Sequence, residues 1–257
     1  MISQPLGILI TGAGSGIGRG LAHCLAATGR RMFLADLRLE AAQETIRLID
    51  GDSSLVSAHA VDVTSSAAVR EFLHAIGDEP IDVVINNAGL QHVAGVEELP
   101  EDQWDSLIDV MLKGPFLLTQ AILPRMRQRG FGRFVNIGSI HALVASPFKS
   151  AYVAAKHGLL GLSKVVALES AGADITMNTI CPAYVRTPLV DAQIAAQAQA
   201  HRVSEQEVID KIMLEPMPKK AFITIEEIAA AVEFLISHAA RNITGQTIVI
   251  DGGWTAR

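Results

Sequence analysis

Two cysteines, Cys24 and Cys181, are all that the 257 residues hold, too few for a disulfide framework and without the spacing of metal ligands. No metal site is therefore expected, and both thiols read as small apolar residues of a reducing compartment. Basic charge is not in excess either. With 21 Lys and Arg against 27 Asp and Glu, the net charge is −6. Nothing in that balance would neutralise a phosphate backbone, so nucleic acid is not an expected partner. No apolar run approaches the roughly 18 to 20 residues that span a bilayer. The first ten residues carry no basic leader, and their apolar stretch runs straight into glycines. The expectation is a cytoplasmic protein with no membrane partner. Also missing are a Pro/Ser-rich linker, a charge block and a repeat of fixed period, so residues 1–257 read as one domain. What the chain does have is apolar content, 49% hydrophobic against 19% charged, which suits a sizeable core and excludes extended disorder.

Short apolar runs alternate with amphipathic stretches of helical length. Leu6 to Thr11, Arg31 to Asp36, Leu55 to Asp62, Ile81 to Asn86, Arg133 to Gly138, Ile175 to Ile180 and Thr247 to Ile250 are strand-like. This alternation predicts an α/β fold, a single-domain, doubly wound (Rossmann-like) parallel sheet with helices on both faces. Its longest interruption, Pro188 to Lys220, predicts two polar helices around His201 to Ser204 and a mobile flap.

Ligands of an open parallel sheet bind where the strands end. After the first strand comes Thr11-Gly12-Ala13-Gly14-Ser15-Gly16-Ile17-Gly18. Glycines there permit positive φ and close approach to a pyrophosphate, and the following helix supplies free N–H groups. The spacing is T-G-x-x-x-G-x-G, with Ile17 where a G-x-G-x-x-G loop has its third glycine, and a purely structural turn remains open. Asp36 lies 24 positions after Gly12, where a carboxylate accepts hydrogen bonds from an adenosine ribose. That favours NAD over NADP, since a 2′-phosphate would meet like charge and Ser15 offers no cation; Arg38 weighs the other way. Asp62 and Val63 suit adenine, although Asp62 suits a helix cap equally.

Tyr152 and Lys156, four apart in a predicted helix, project from one face. An adjacent ammonium stabilises a phenolate, so Lys156 is expected to lower the pKa of Tyr152 and make it a proton acceptor. Ser139, thirteen residues upstream, would hold the reacting oxygen. Alone, a Tyr/Lys pair of this spacing also describes an ordinary helix surface.

Together with Asn86-Asn87-Ala88-Gly89 and Cys181-Pro182 leading to Thr187, these pieces make the chain resemble the short-chain dehydrogenase/reductase family over essentially its whole length. The resemblance implies that Ser139, Tyr152 and Lys156 are catalytic and that Lys156 also binds the nicotinamide ribose. It implies NAD as cofactor, held by Gly12, Ser15, Gly16, Ile17, Gly18 and Asp36, by Asp62, Val63, Asn87, Ala88 and Gly89, and by Tyr152, Lys156 and Thr187. It also implies a homotetramer. Where the family usually has a catalytic asparagine, counting from Trp104 reaches Met111, which has no amide to offer.

Within the family the resemblance is to bacterial dehydrogenases of D-3-hydroxybutyrate. It rests on Gln91-His92-Val93-Ala94, Ser139-Ile140-His141, Lys149 to Gly158, Thr187-Pro188-Leu189-Val190 with Gln193, and Asp251-Gly252-Gly253-Trp254. By this resemblance Gln91, His141, Lys149 and Gln193 hold a substrate carboxylate, Ser139 and Tyr152 hold the reacting oxygen, and Trp254 closes the apolar side. Each also has a plainer reading: a solvated lysine, a loop histidine, polar helix decoration, a tryptophan at a subunit interface. His92 and His157 read as structural. The expected activity is NAD-dependent interconversion of (R)-3-hydroxybutyrate, or another short 3-hydroxy acid, with its 3-oxo acid. A sugar, polyol or other secondary alcohol as substrate, and a non-catalytic dinucleotide sensor, are the alternatives.

Overall fold

In the computed structural model, which describes residues 5–26, 29–49 and 53–256, seven strands form one parallel sheet. They are β1 (Gly7–Thr11), β2 (Arg31–Asp36), β3 (Val56–Ala60), β4 (Val83–Asn86), β5 (Phe131–Ile137), β6 (Asp174–Pro182) and β7 (Thr247–Ile250). Their spatial order is β3-β2-β1-β4-β5-β6-β7, so the winding reverses between β1 and β4 and opens a crevice at the strand ends there. The helices are α1 (Gly16–Ala26), α2 (Leu39–Arg47), α3 (Ser66–Ala75), α4 (Glu101–Ile108), α5 (Gly114–Arg129), α6 (Ser150–Glu169), α7 (Pro188–His201), α8 (Glu205–Val208) and α9 (Ile225–Ile236).

The period of two along a strand divides the core. In β1, Ile8 and Ile10 pack with Leu21 and Leu25 of α1 and with Val232 of α9 on one side. Leu9 packs with Phe72 of α3, Leu118 of α5 and Val166 of α6 on the other. Both faces are thus covered, which explains why these strands read as unbroken apolar runs.

Boundaries moved where side chains intervene. The third strand ends at Ala60, because Asp62 Oδ1 accepts both the Thr64 N–H (2.9 Å) and the Thr64 hydroxyl (2.7 Å) and turns the chain. The cap of α3 is Ser65, whose Oγ accepts the Ala68 N–H, so the capping alternative for Asp62 is set aside. The sixth strand is longer than expected, since Pro182 still pairs with Ile250 on the neighbouring β7.

One expectation needs amending. The helical stretch Glu101–Arg129 is long and apolar enough by composition to cross a membrane, with a mean hydropathy of 1.4 over eighteen residues. It was missed because Asp109 and Lys113 interrupt the apolar run. Its buried residues, Leu118, Ile122 and Met126 among them, belong to the core under the sheet, so it is a core helix. Between α4 and α5 the chain makes a π-helical turn, Asp109–Lys113. The segment from Pro188 to Lys220 folds as α7, α8 and a second π-helical turn, with Ile194, Val208 and Met213 packed together and Tyr184 and Phe222 against them.

Candidate active site

The glycine-rich turn leaves β1 at the crevice. Gly12 and Gly16 have φ of +63° and +52°, values that exact a steric cost from a residue with a Cβ. The carbonyls of Ala13 and Gly14 are taken by the Thr45 hydroxyl and the Arg19 guanidinium, leaving the first-turn N–H groups of α1 for a ligand. Thr11 Oγ1 accepts the N–H groups of Asn87 and Ala88, both at 3.1 Å, and Asn87 Nδ2 donates to the Thr11 carbonyl at 2.9 Å. These bonds hold the loops after β1 and β4 side by side.

A cavity of about 330 Å³ runs along these loops. Gly12, Ser15, Gly16, Ile17 and Asp36, Asp62, Val63, Asn87, Ala88 and Gly89, and Tyr152, Lys156 and Thr187 are among the residues that line it. Gly18 does not line it. A Cβ there would lie 2.2 Å from the Gly12 carbonyl oxygen, so this glycine lets α1 pack against the turn instead. Asp36 Oδ2 accepts the Gly14 N–H at 2.9 Å and Oδ1 the Arg38 N–H at 3.1 Å, fixing the carboxylate at the cavity wall. A glycine-rich cradle, helix N–H groups and a fixed carboxylate together fit an adenine dinucleotide.

Ser139, Tyr152 and Lys156 converge where this cavity meets a second one of about 130 Å³. Lys156 Nζ donates to the Ile137 carbonyl at 2.7 Å and stands 5.7 Å from the Tyr152 ring centroid. Burial pushes the lysine down to about 8. The Tyr152 phenol is raised, by burial first, with the Ser139 hydroxyl pulling it down less strongly. The expected lowering by Lys156 is therefore not what this geometry gives. Both groups lose water in the same cleft, and the ammonium is committed to a backbone carbonyl.

Helix α6 is fixed by a polar chain that the sequence did not reveal. Asn86 Nδ2 donates to Asn136 Oδ1 (2.7 Å), Asn136 Nδ2 to Ser163 Oγ (2.9 Å), and Ser163 bonds Thr179 (2.9 Å). Ser163 lies seven residues after Lys156, two turns along the same face, so the chain sets the rotation of the helix that carries Tyr152 and Lys156.

The smaller cavity is lined by Gln91, Ser139, His141, Lys149, Tyr152 and Gln193, with Thr187 shared. Lys149 and His141 are buried, with Nζ 3.4 Å from Nε2. Burial, and then the Lys149 charge, lower His141 to about 4, so its imidazole is neutral and Nε2 faces the ammonium as acceptor. Trp254 does not line the cavity; it stands behind it, edge-on to His141 at 5.9 Å and stacked on Tyr184 at 6.1 Å. Asp251 seats that tryptophan by accepting N–H groups from Gly253 and Thr255. His157 bonds the Val153 carbonyl of its own helix, in line with a structural role.

A family model described as Enoyl-(Acyl carrier protein) reductase matches residues 12–255. The chain belongs to the short-chain dehydrogenase/reductase family. It is 42% identical over 256 residues to a D-beta-hydroxybutyrate dehydrogenase of Rhizobium meliloti, covering 97% of this chain and 98% of that one. To a D-threitol dehydrogenase of Mycolicibacterium smegmatis it is 38% identical, covering 97% and 92%. A solved structure described as a putative 2-deoxy-d-gluconate 3-dehydrogenase from Agrobacterium tumefaciens, with bound NADP, superposes with a TM-score of 0.86 at 34% identity, covering 99% and 98%. As a short-chain dehydrogenase/reductase, the protein is an oxidoreductase that uses a nicotinamide nucleotide.

The surroundings of Met111, whose place was reached by counting along the sequence, and the role of Tyr184 were not legible beforehand. Met111 sits in the π-helical turn, buried with Leu107, Ala151 and Ala155, and presents a thioether to the nucleotide cavity. Tyr184, two residues beyond β6, lines the smaller cavity; its position after a strand end was the available signal.

The neutral His141 has a measurable consequence. Its folded pKa of about 4 lies below its ordinary 6.5, so between those values the unfolded chain binds a proton that the folded protein refuses. Stability should fall by about 3 kcal/mol as pH drops from 6.5 to 4 on this account. Thermal melts across that range should show His141→Gln losing much of the acid slope; equal slopes in both proteins would refute the assignment.

Proposed function

We propose that this enzyme interconverts a short 3-hydroxy acid, with (R)-3-hydroxybutyrate the expected substrate, and the corresponding 3-oxo acid, using NAD. The observation that carries the reading is the buried Lys149 ammonium beside neutral His141, in the same small cavity as Ser139 and Tyr152. A buried ammonium calls for an anion, and a carboxylate held there by Lys149, Gln91 and Gln193, with the neutral His141 accepting from the ammonium and steadying it, would set the carbinol carbon beside Tyr152.

When bound, the nicotinamide supplies the two-electron acceptor. Ser139 orients the substrate hydroxyl, Tyr152 accepts its proton, and the Lys156 charge stabilises negative charge developing on oxygen. Because burial raises the Tyr152 phenol, the proton transfer depends on that charge and on the Ser139 hydrogen bond being in place. The fixed Asp36 carboxylate supports NAD over NADP by repelling a 2′-phosphate. Gln193 lies on α7, so movement of 188–220 over the acid would bring its amide into the site and exclude water. Exposed Trp104, Phe116, Val165 and Leu168 on α4, α5 and α6 support assembly through these helices into a homotetramer.

The test is a steady-state NADH assay with both enantiomers of 3-hydroxybutyrate, longer hydroxy acids and uncharged secondary alcohols, each with NAD and NADP. The expected result is preference for the R acid with NAD. Equal rates on alcohols lacking the carboxylate would replace this reading with a sugar or polyol substrate, and nucleotide binding without turnover on any compound would replace it with a sensor.

A further inference from the structure

His141 and Lys149 meet in the smaller cavity, with Nζ 3.4 Å from Nε2, because residues 142–148 turn back between them. The way back is a turn with Pro147 and Phe148 at its centre. Phe148 has a φ of +65°, the left-handed region, where a bulky residue is an outlier and where the third place of a turn ordinarily carries glycine or asparagine. It is 62% exposed, so burial of the ring does not offset that cost. The backbone on either side holds it instead. Pro147 pre-sets the φ of the second place in the turn. The Phe148 carbonyl accepts the Ala94 N–H at 3.0 Å, and the next carbonyl, that of Lys149, accepts the Val153 N–H at 2.9 Å as a first bond of α6.

Ala94 lies on the loop after β4 that carries Gln91 into the same cavity, so a single peptide group ties that loop to the entrance of α6. With an ordinary negative φ at residue 148 the chain would leave Lys149 in another direction, and the loop from His141 could not close with the two side chains in contact. Backbone strain persists where its surroundings over-determine it, and it collects at ligand sites, where a fixed geometry is needed. Resting on the hydroxy-acid reading above, we propose that Phe148 is a positioning residue for that activity: its left-handed backbone, locked by the Ala94 N–H, holds the Lys149 ammonium against His141 and so sets the preference for substrates bearing a carboxylate. The backbone conformation carries this role, and the aromatic ring does not.

The experiment measures kcat/KM for (R)-3-hydroxybutyrate and for an uncharged secondary alcohol in the wild type, Phe148→Pro and Phe148→Gly, and titrates the His141 imidazole by NMR in each. Proline fixes φ at about −65°. F148P should lower the value for the acid about tenfold, chiefly through KM, and leave that for the alcohol unchanged. Its His141 should titrate above about 4, closer to the ordinary value, as the Lys149 charge withdraws. Glycine takes the left-handed region freely, so F148G should keep the wild-type ratio and titration. Should F148P not fold, Phe148→Val, β-branched and disfavoured at this φ, takes its place with the same direction expected. An unchanged ratio and titration in the proline variant overturns the proposal, as do parallel losses on both substrates. So does a glycine variant that behaves like the proline one, which would put the effect in the ring. A wild type indifferent to the carboxylate overturns the hydroxy-acid reading and the preference with it, while the His141 titration still decides whether Phe148 places Lys149.

Discussion

Tyr152→Phe should lose about 10²- to 10⁴-fold in kcat/KM, the range expected when a positioned general acid–base group is removed, while the nucleotide still binds. The phenol oxygen is the only atom deleted. The ring remains against His141, edge-on at 6.2 Å, so the cavity wall is preserved and the loss falls on proton transfer. Steady-state rates together with a nucleotide fluorescence titration separate the two effects. A variant turning over at near wild-type rate would remove Tyr152 from the chemistry and would move attention to Ser139.

Lys149→Met should lower kcat/KM for the hydroxy acid by about 10²-fold, the upper end for a charge-assisted hydrogen bond. An uncharged secondary alcohol should change by less than about threefold. The methionine stem fills the volume of the lysine stem, so the difference between the two substrates reports the ammonium itself. A second readout comes from His141, whose low pKa owes part of its shift to the Lys149 charge. In the variant that imidazole should titrate closer to its ordinary value, visible in its NMR shift against pH. Parallel losses on charged and uncharged substrates would show that Lys149 supports the helix entrance and does not anchor an anion.

The alternation of strand and helix was open to reading because both faces of the sheet are covered, which forces continuous apolar runs in β1, β2 and β4. The nucleotide turn was equally open, because positive φ at Gly12 and Gly16 leaves a glycine signature in the chain itself. What stayed hidden depends on partners far away in sequence. Asn136 and Ser163 look unremarkable until the sheet brings them to within 2.9 Å. Gly18 resembles its neighbours in the turn, yet its work is to admit the Gly12 carbonyl. The stretch 101–129 hid its membrane-like hydropathy because two charges break the run while the helical average stays high.

The sequence by itself determined the doubly wound sheet, the phosphate cradle and the four-residue spacing that sets Tyr152 and Lys156 on one helical face, since each is written in local periodicity or in a local backbone requirement. Only the tertiary structure decided the protonation of these groups and the character of the substrate end. Desolvation, which raises Tyr152 and lowers Lys156 and His141, comes from everything packed around a group, and the Tyr184, Trp254 and Lys149 cluster gathers residues from three distant parts of the chain.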